Sequence, residues 1–128
     1  MAKARILYIE DYPVVQTMYV EVLQKHFSID VASDGKEALE KIKLEHYDVI
    51  LLDLLLPQVS GMEFLREYQK GGHKQDDKTH LIVLSDFDNP GTQKEVRALG
   101  IKDYWIKVEN TPYVLVEKLN EVLASKPD

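Results

Sequence analysis

A hydroxyl, an ammonium and three carboxylates stand at or just past the ends of short apolar runs in this chain. Glu10 and Asp11 follow Arg5 to Ile9, Asp53 closes Val49 to Asp53, Ser85 closes Leu81 to Ser85, and Lys107 closes Tyr104 to Lys107. Three carboxylates gathered in one place resist ionising together, and a hard divalent cation relieves them by taking an oxygen from each. Mg²⁺ suits such a set best, because it keeps several waters and pairs one or two carboxylates with a phosphate oxygen. An ammonium and a hydroxyl then complete a phosphoryl site: Lys107 would neutralise charge on the phosphoryl oxygens and Ser85 would donate a hydrogen bond to them. A carboxylate attacking phosphorus in line gives an aspartyl phosphate, a mixed anhydride, and Asp53 is the candidate nucleophile. Taken singly, each residue has an ordinary explanation: a solvated acidic turn, a strand cap, a serine satisfying nearby backbone, a surface lysine. Their joint occurrence at successive strand ends is what carries the chemical reading.

Residues so far apart in the chain meet only if the elements between them bring their ends to one edge. Five runs read as strands: Arg5 to Ile9, Ser28 to Ala32, Val49 to Asp53, Leu81 to Ser85 and Tyr104 to Lys107. Three are almost continuously apolar rather than alternating, as strands are when helices cover both faces of a parallel sheet. Helical spacing fills the intervals. Val14, Val15, Met18, Val22 and Leu23 follow Pro13, and Ala38, Leu39 and Ile42 mark the second helix, with Met62, Leu65 and Tyr68 marking the third. A fourth helix is expected from near Gly91 to before Gly100, and a fifth from about Pro112 with Leu115, Leu119, Val122 and Leu123 inward. The polar stretch Gly71 to Thr79 reads as a loop, and there is no internal repeat. Strict alternation of strand and helix predicts a doubly wound α/β fold with a parallel sheet and right-handed crossovers. With strand order 2-1-3-4-5, the first and third strands are neighbours and the three carboxylates converge where such sheets bind ligands.

Composition narrows the remaining possibilities. The 128 residues predict a single domain spanning 1–128, with 45% hydrophobic content for its core. Sixteen basic against twenty-two acidic residues, a formal charge of −6, disfavour nucleic acid or anionic lipid as partners. With no cysteine there is no disulfide or thiolate metal site, and no apolar run approaches the roughly 18 residues of a membrane span. Met1 to Arg5 leads directly into the first strand without room for a signal peptide, so a cytoplasmic location is expected. His26, His46, His73 and His80 lack metal-ligand spacing and read as surface residues, and Trp105 reads as core.

The spacing of these residues resembles, over essentially the whole chain, the receiver domains of two-component response regulators. Glu10 and Asp11 match the family's acidic pair. Asp53, Pro57 and Gly61 match its phosphoacceptor block, Ser85 and Lys107 complete the signature, and Tyr104 stands where the family places a rotatable aromatic. The resemblance implies a flavodoxin-like receiver fold, Mg²⁺ on Glu10, Asp11 and Asp53, and phosphoryl transfer to Asp53 from a sensor histidine kinase or phosphotransfer protein. It implies a signalling module whose own chemistry is confined to its phosphorylation and dephosphorylation. Ser85 and Tyr104 would form the switch. Ser85 would shift toward the phosphoryl group and Tyr104 rotate inward, altering a face of the fourth helix, fifth strand and fifth helix that includes Gln93, Lys94, Arg97, Lys102 and Tyr104. With no output domain expected beyond the receiver, that face would signal by contact with a downstream effector protein, and homodimerisation through it is compatible with the sequence. A tyrosine in an edge strand also serves simply as packing, so Tyr104 is open to either role.

Departures from the family pattern bear on function. Asp86 replaces the usual small residue after Ser85 and introduces an acid that would repel a phosphodonor. Val108 replaces the proline that usually follows the lysine, where a cis bond before a non-proline costs about 3 kcal/mol, so that loop is expected to differ. Leu56 stands for a common methionine as a packing substitution. These features keep a second function open, a degenerate receiver acting as an unphosphorylated interaction module. A phosphohydrolase of the haloacid-dehalogenase type wants an acid where Leu55 stands, and a flavin-binding domain wants a neutral, hydroxyl-rich loop where Glu10 and Asp11 stand. Leu55 and Phe87 flank the site and predict slow hydrolysis of the phosphoryl group.

Overall fold

The computed structural model describes residues 3–56, 58–86 and 88–124; Pro57 and Phe87, two residues of the motif and its flank, lie outside these, as do the chain ends. Five strands, β1 (Arg5–Ile9), β2 (Ser28–Ala32), β3 (Val49–Leu52), β4 (His80–Ser85) and β5 (Asp103–Ile106), alternate with α1 (Pro13–Leu23), α2 (Gly35–Leu44), α3 (Gly61–Gln69), α4 (Pro90–Ala98) and α5 (Pro112–Ala124). The strands pair in parallel in the order β2-β1-β3-β4-β5, the predicted doubly wound α/β arrangement. Every residue of β3 is buried because both faces of that strand are covered. On one face Ile9, Ile50, Leu52 and Val83 pack under Ala38 and Ile42 of α2, Phe64 and Leu65 of α3 and Val96 of α4. On the other, Ile6, Tyr8, Leu51 and Leu84 pack under Tyr19, Val22 and Leu23 of α1 and Leu115, Val116 and Leu119 of α5.

Local chemistry sets where the helices begin. Pro13, Pro90 and Pro112 occupy first-turn positions, where a missing N–H loses nothing and the fixed φ suits the helix. Asp34, Ser60 and Asn89 cap α2, α3 and α4 by accepting from the backbone N–H groups of Glu37, Glu63 and Thr92. At Gly61 a Cβ would come 2.4 Å from the Leu54 Cα and 2.8 Å from the Asp53 carbonyl oxygen, so only glycine lets α3 start directly against the end of β3.

Three expectations are corrected. Val14 and Met18 do not face the core; both are exposed, and Tyr19 is buried in their place. The inward stripe is Val15, Tyr19, Val22 and Leu23, spaced i, i+4, i+7 and i+8, with Val14 and Met18 one step round the helix. Asp53 lies one residue past β3, although its N–H still donates to the Ile9 carbonyl at 3.1 Å. Lys107 likewise begins a short 3₁₀ turn, Lys107–Glu109, rather than ending β5. Trp105 is half-buried against the α1 and α5 side, with the Lys118 ammonium 4.9 Å from its ring centre.

Candidate functional site

The parallel register sets Ile9 beside Leu52 and Leu52 beside Val83, so the residues that follow β1 and β3 emerge side by side at one edge. Glu10, Asp11 and Asp53 each present a carboxylate oxygen there, all within 4.8 Å of one another. Glu10 and Asp53 are buried and Asp11 is exposed, so the cluster opens to solvent on one side. Its electrostatic centre is Lys107. The ammonium donates to Glu10 Oε1 at 2.6 Å and to Asp53 Oδ2 at 3.1 Å, and lies 3.8 Å from Asp86 Oδ1. The other Asp53 oxygen, Oδ1, accepts from the Leu55 N–H at 3.0 Å, which fixes the carboxylate plane. Glu10 is held in turn: its Oε2 accepts from the Tyr12 N–H, and its carbonyl accepts from the Gln16 side chain at 2.8 Å.

These positions alter proton affinities. Burial pushes the Glu10 carboxyl above the ordinary carboxylate range, and the Asp53 charge adds to this against the pull of Lys107. Burial disfavours the Lys107 ammonium, but its bonds to Glu10 and Asp53 outweigh that cost and leave its pKa above the ordinary lysine value. Lys107 is therefore the charge that lets two buried acids coexist.

Ser85 is buried at the end of β4 and registers with Ile106, the residue before Lys107. Tyr104 is half-buried and packs on the α2, α3 and α4 side of the sheet, whereas Lys94, Arg97 and Lys102 are exposed. Leu56 packs against the core, and Leu55 is exposed beside Asp53. Three carboxylates, an ammonium and a buried serine thus stand at the carboxyl edge of a parallel sheet, an oxygen-rich set of the kind that could hold a hard cation.

A family model described as response regulator receiver domain matches residues 6–120. The chain belongs to this family. Over 127 residues the receiver is 32% identical to a protein-glutamate methylesterase/protein-glutamine glutaminase of Koribacter versatilis, covering 95% of the chain and 34% of that protein. It is 31% identical to the response regulator ArlR of Staphylococcus saprophyticus, covering 94% of the chain and 51% of that protein. The receiver thus spans a third to a half of the length of these curated relatives. Among solved structures, the chemotaxis response regulator CheY4 of Vibrio cholerae superposes with a TM-score of 0.82 at 27% identity, covering 95% of this chain and all of that one. Receiver domains of response regulators are signalling modules, and their proteins interact with histidine kinases and effector domains. Among the described residues no helix is long and apolar enough to cross a membrane.

Sequence reading missed the layer behind the receiver's site. Tyr8, two residues before Glu10, is buried against Tyr19, and the Tyr19 hydroxyl donates to the Asn110 carbonyl at 2.7 Å. Asn110 closes the turn that carries Lys107: its N–H donates to the Lys107 carbonyl and its side chain to the Ile106 carbonyl. The one local signal was a tyrosine in the otherwise aliphatic run Ile6 to Ile9. The histidines also need correction, because His46, His73 and His80 are half-buried; His46 pairs with Asp76 of the 71–79 loop, and His73 in that loop bonds to the Tyr68 carbonyl of α3.

Proposed function

We propose that this receiver accepts a phosphoryl group on Asp53 with Mg²⁺ bound beside it, and signals by protein contact rather than by catalysis. The observation that carries this is the placement of Lys107 across Glu10 and Asp53 at a cluster of three carboxylates. The donor set fits Mg²⁺: oxygen ligands only, two of them buried and held by backbone N–H groups, with an exposed third side left for water and phosphate. Glu10, Asp11 and Asp53 would hold the ion, which when bound offsets the charge of acceptor and donor oxygens together. Asp53 attacks phosphorus as the bond to the donor's leaving group breaks. Lys107, already on Asp53 Oδ2, neutralises the arriving oxygens, and Ser85 supplies a hydroxyl.

The donor would be a histidine kinase or phosphotransfer protein. Apolar side chains beside the site support docking of a protein there, since Tyr12, Leu55 and Val108 are all exposed and each lies within two residues of Asp11, Asp53 or Lys107. Tyr104 and the surface of α4, β5 and α5 would carry the phosphorylated state to an effector.

Intact-mass spectrometry after incubation with acetyl phosphate, with and without Mg²⁺, on the wild type and Asp53→Asn tests this. The expected result is a gain of one phosphoryl group that needs both Mg²⁺ and Asp53. No gain under any condition would favour an unphosphorylated interaction module.

A further inference from the structure

Among the described residues, Asp86 is a further acid near the site. It follows the buried Ser85, its side chain is 49% exposed, and its Oδ1 lies 3.8 Å from the Lys107 ammonium. Through Lys107 it stands no more than about 7 Å from the Asp53 oxygen that the same ammonium holds, a range at which charges at a partly solvated surface still interact. Unlike Glu10, it is too exposed to be a structural anchor. Its half-exposed carboxylate lies beside the ammonium that a donor's phosphoryl oxygens must reach.

We propose that Asp86 selects the phosphodonor, discriminating against small, doubly charged acyl phosphates in favour of donors that bring less charge to the site. This rests on Asp53 being the phosphoacceptor. The chemistry supplies a matched pair of probes. With acetyl phosphate, the phosphorus–oxygen bond to acetate breaks as the bond to the Asp53 oxygen forms, and acetate leaves with the electron pair. With phosphoramidate, the phosphorus–nitrogen bond breaks and ammonia leaves, taking up a proton from water. Acetyl phosphate is doubly charged near neutral pH and phosphoramidate carries one net charge. A fixed carboxylate at the mouth therefore penalises the first more than the second. The loss of Asp86 as a neighbour of Lys107 acts on both reactions alike, because both place a phosphoryl group on the same ammonium. The ratio of the two rates isolates the charge effect from any change in Lys107 placement.

The test measures phosphorylation rates of the whole chain with acetyl phosphate and with phosphoramidate at fixed Mg²⁺, for the wild type, Asp86→Asn and Asp86→Glu. Asp86→Asn keeps the shape and removes the charge, and should raise the rate ratio of acetyl phosphate to phosphoramidate by about three- to sevenfold at low salt. Asp86→Glu should keep the ratio near wild type, and about 1 M salt, where the Debye length falls to about 3 Å, should erase the difference. An unchanged ratio in Asp86→Asn, with both rates moving together or not at all, overturns donor selection while leaving the phosphoacceptor intact. Failure of both donors on every variant would instead remove the phosphoacceptor reading on which the proposal stands.

Discussion

Lys107 is the residue on which the site's electrostatics turn. Without it, Glu10 and Asp53 would be two buried carboxylates side by side, and one would have to take a proton or water would have to enter. Lys107→Met should therefore destabilise the metal-free protein by about 3 kcal/mol in urea unfolding, and added Mg²⁺ should restore part of that loss by supplying another cation to the same oxygens. A full-sized loss that Mg²⁺ leaves unchanged would mean that the ion does not share the site of the ammonium. The acids, Ser85 and Lys107 were legible in sequence because each sits where an apolar run stops. What the sequence hid is that Lys107 is bonded more closely to Glu10 than to Asp53. That pairing is set by side-chain reach across two strand ends, which no local pattern encodes.

Between elements, close contacts hold the loops that carry these residues. After β3, Gly61 lies against Leu54 and Gly35 lies against Val59, where a Cβ on Gly35 would come 2.1 Å from the Val59 carbonyl oxygen. Since backbone rather than a flexible side chain is struck, Gly35→Ala should cost about 1–3 kcal/mol in chemical denaturation, and Gly61→Ala should also slow phosphorylation by displacing the Asp53 carbonyl. On the opposite side of the site, Tyr19 of α1 ties down Asn110 and with it the turn that begins at Lys107. Tyr19→Phe leaves a buried carbonyl without that donor and should cost about 1–3 kcal/mol, with faster amide hydrogen exchange at Asn110 as its local signature. Exchange unchanged at Asn110 would show that the turn is held by its own bonds alone. The strands and most helix boundaries could be read from apolar runs, capping residues and prolines. The α1 face could not, because Val14, Val15 and Met18 offer two overlapping stripes, and only the burial of Tyr19 decides between them. Contacts such as that from Tyr19 to Asn110, 91 residues apart, are equally silent in sequence.

At the scale of the molecule, two cores on either side of one sheet bury phenols as well as aliphatic side chains, and this sets a limit at high pH. Burial raises the pKa of Tyr8, Tyr19 and Tyr47 above the ordinary tyrosine value of 10.0, and pushes Tyr68 up to about 12 with help from the Asp76 charge. Each phenol is an acid whose neutral form the fold prefers. Below the unfolded-state value both states keep the proton and the stabilisation is fully present; above it the unfolded chain ionises first, and stability falls until the folded value is passed. The loss can approach about 1.4 kcal/mol per pH unit for each such tyrosine, so several together outweigh any single surface ion pair. The urea midpoint should hold steady up to about pH 10 and then drop steeply, and in a Tyr12→Phe, Tyr113→Phe background, which removes two exposed phenols, the absorbance of the buried phenolates should appear together with unfolding rather than ahead of it. Tyr68→Phe, which removes one of these groups without opening a large cavity, should make the decline shallower. A midpoint that stays level well above pH 10, or full phenolate absorbance in that double-phenylalanine background while the fold persists, would show that the buried hydroxyls reach solvent and that the two cores are looser than their packing implies.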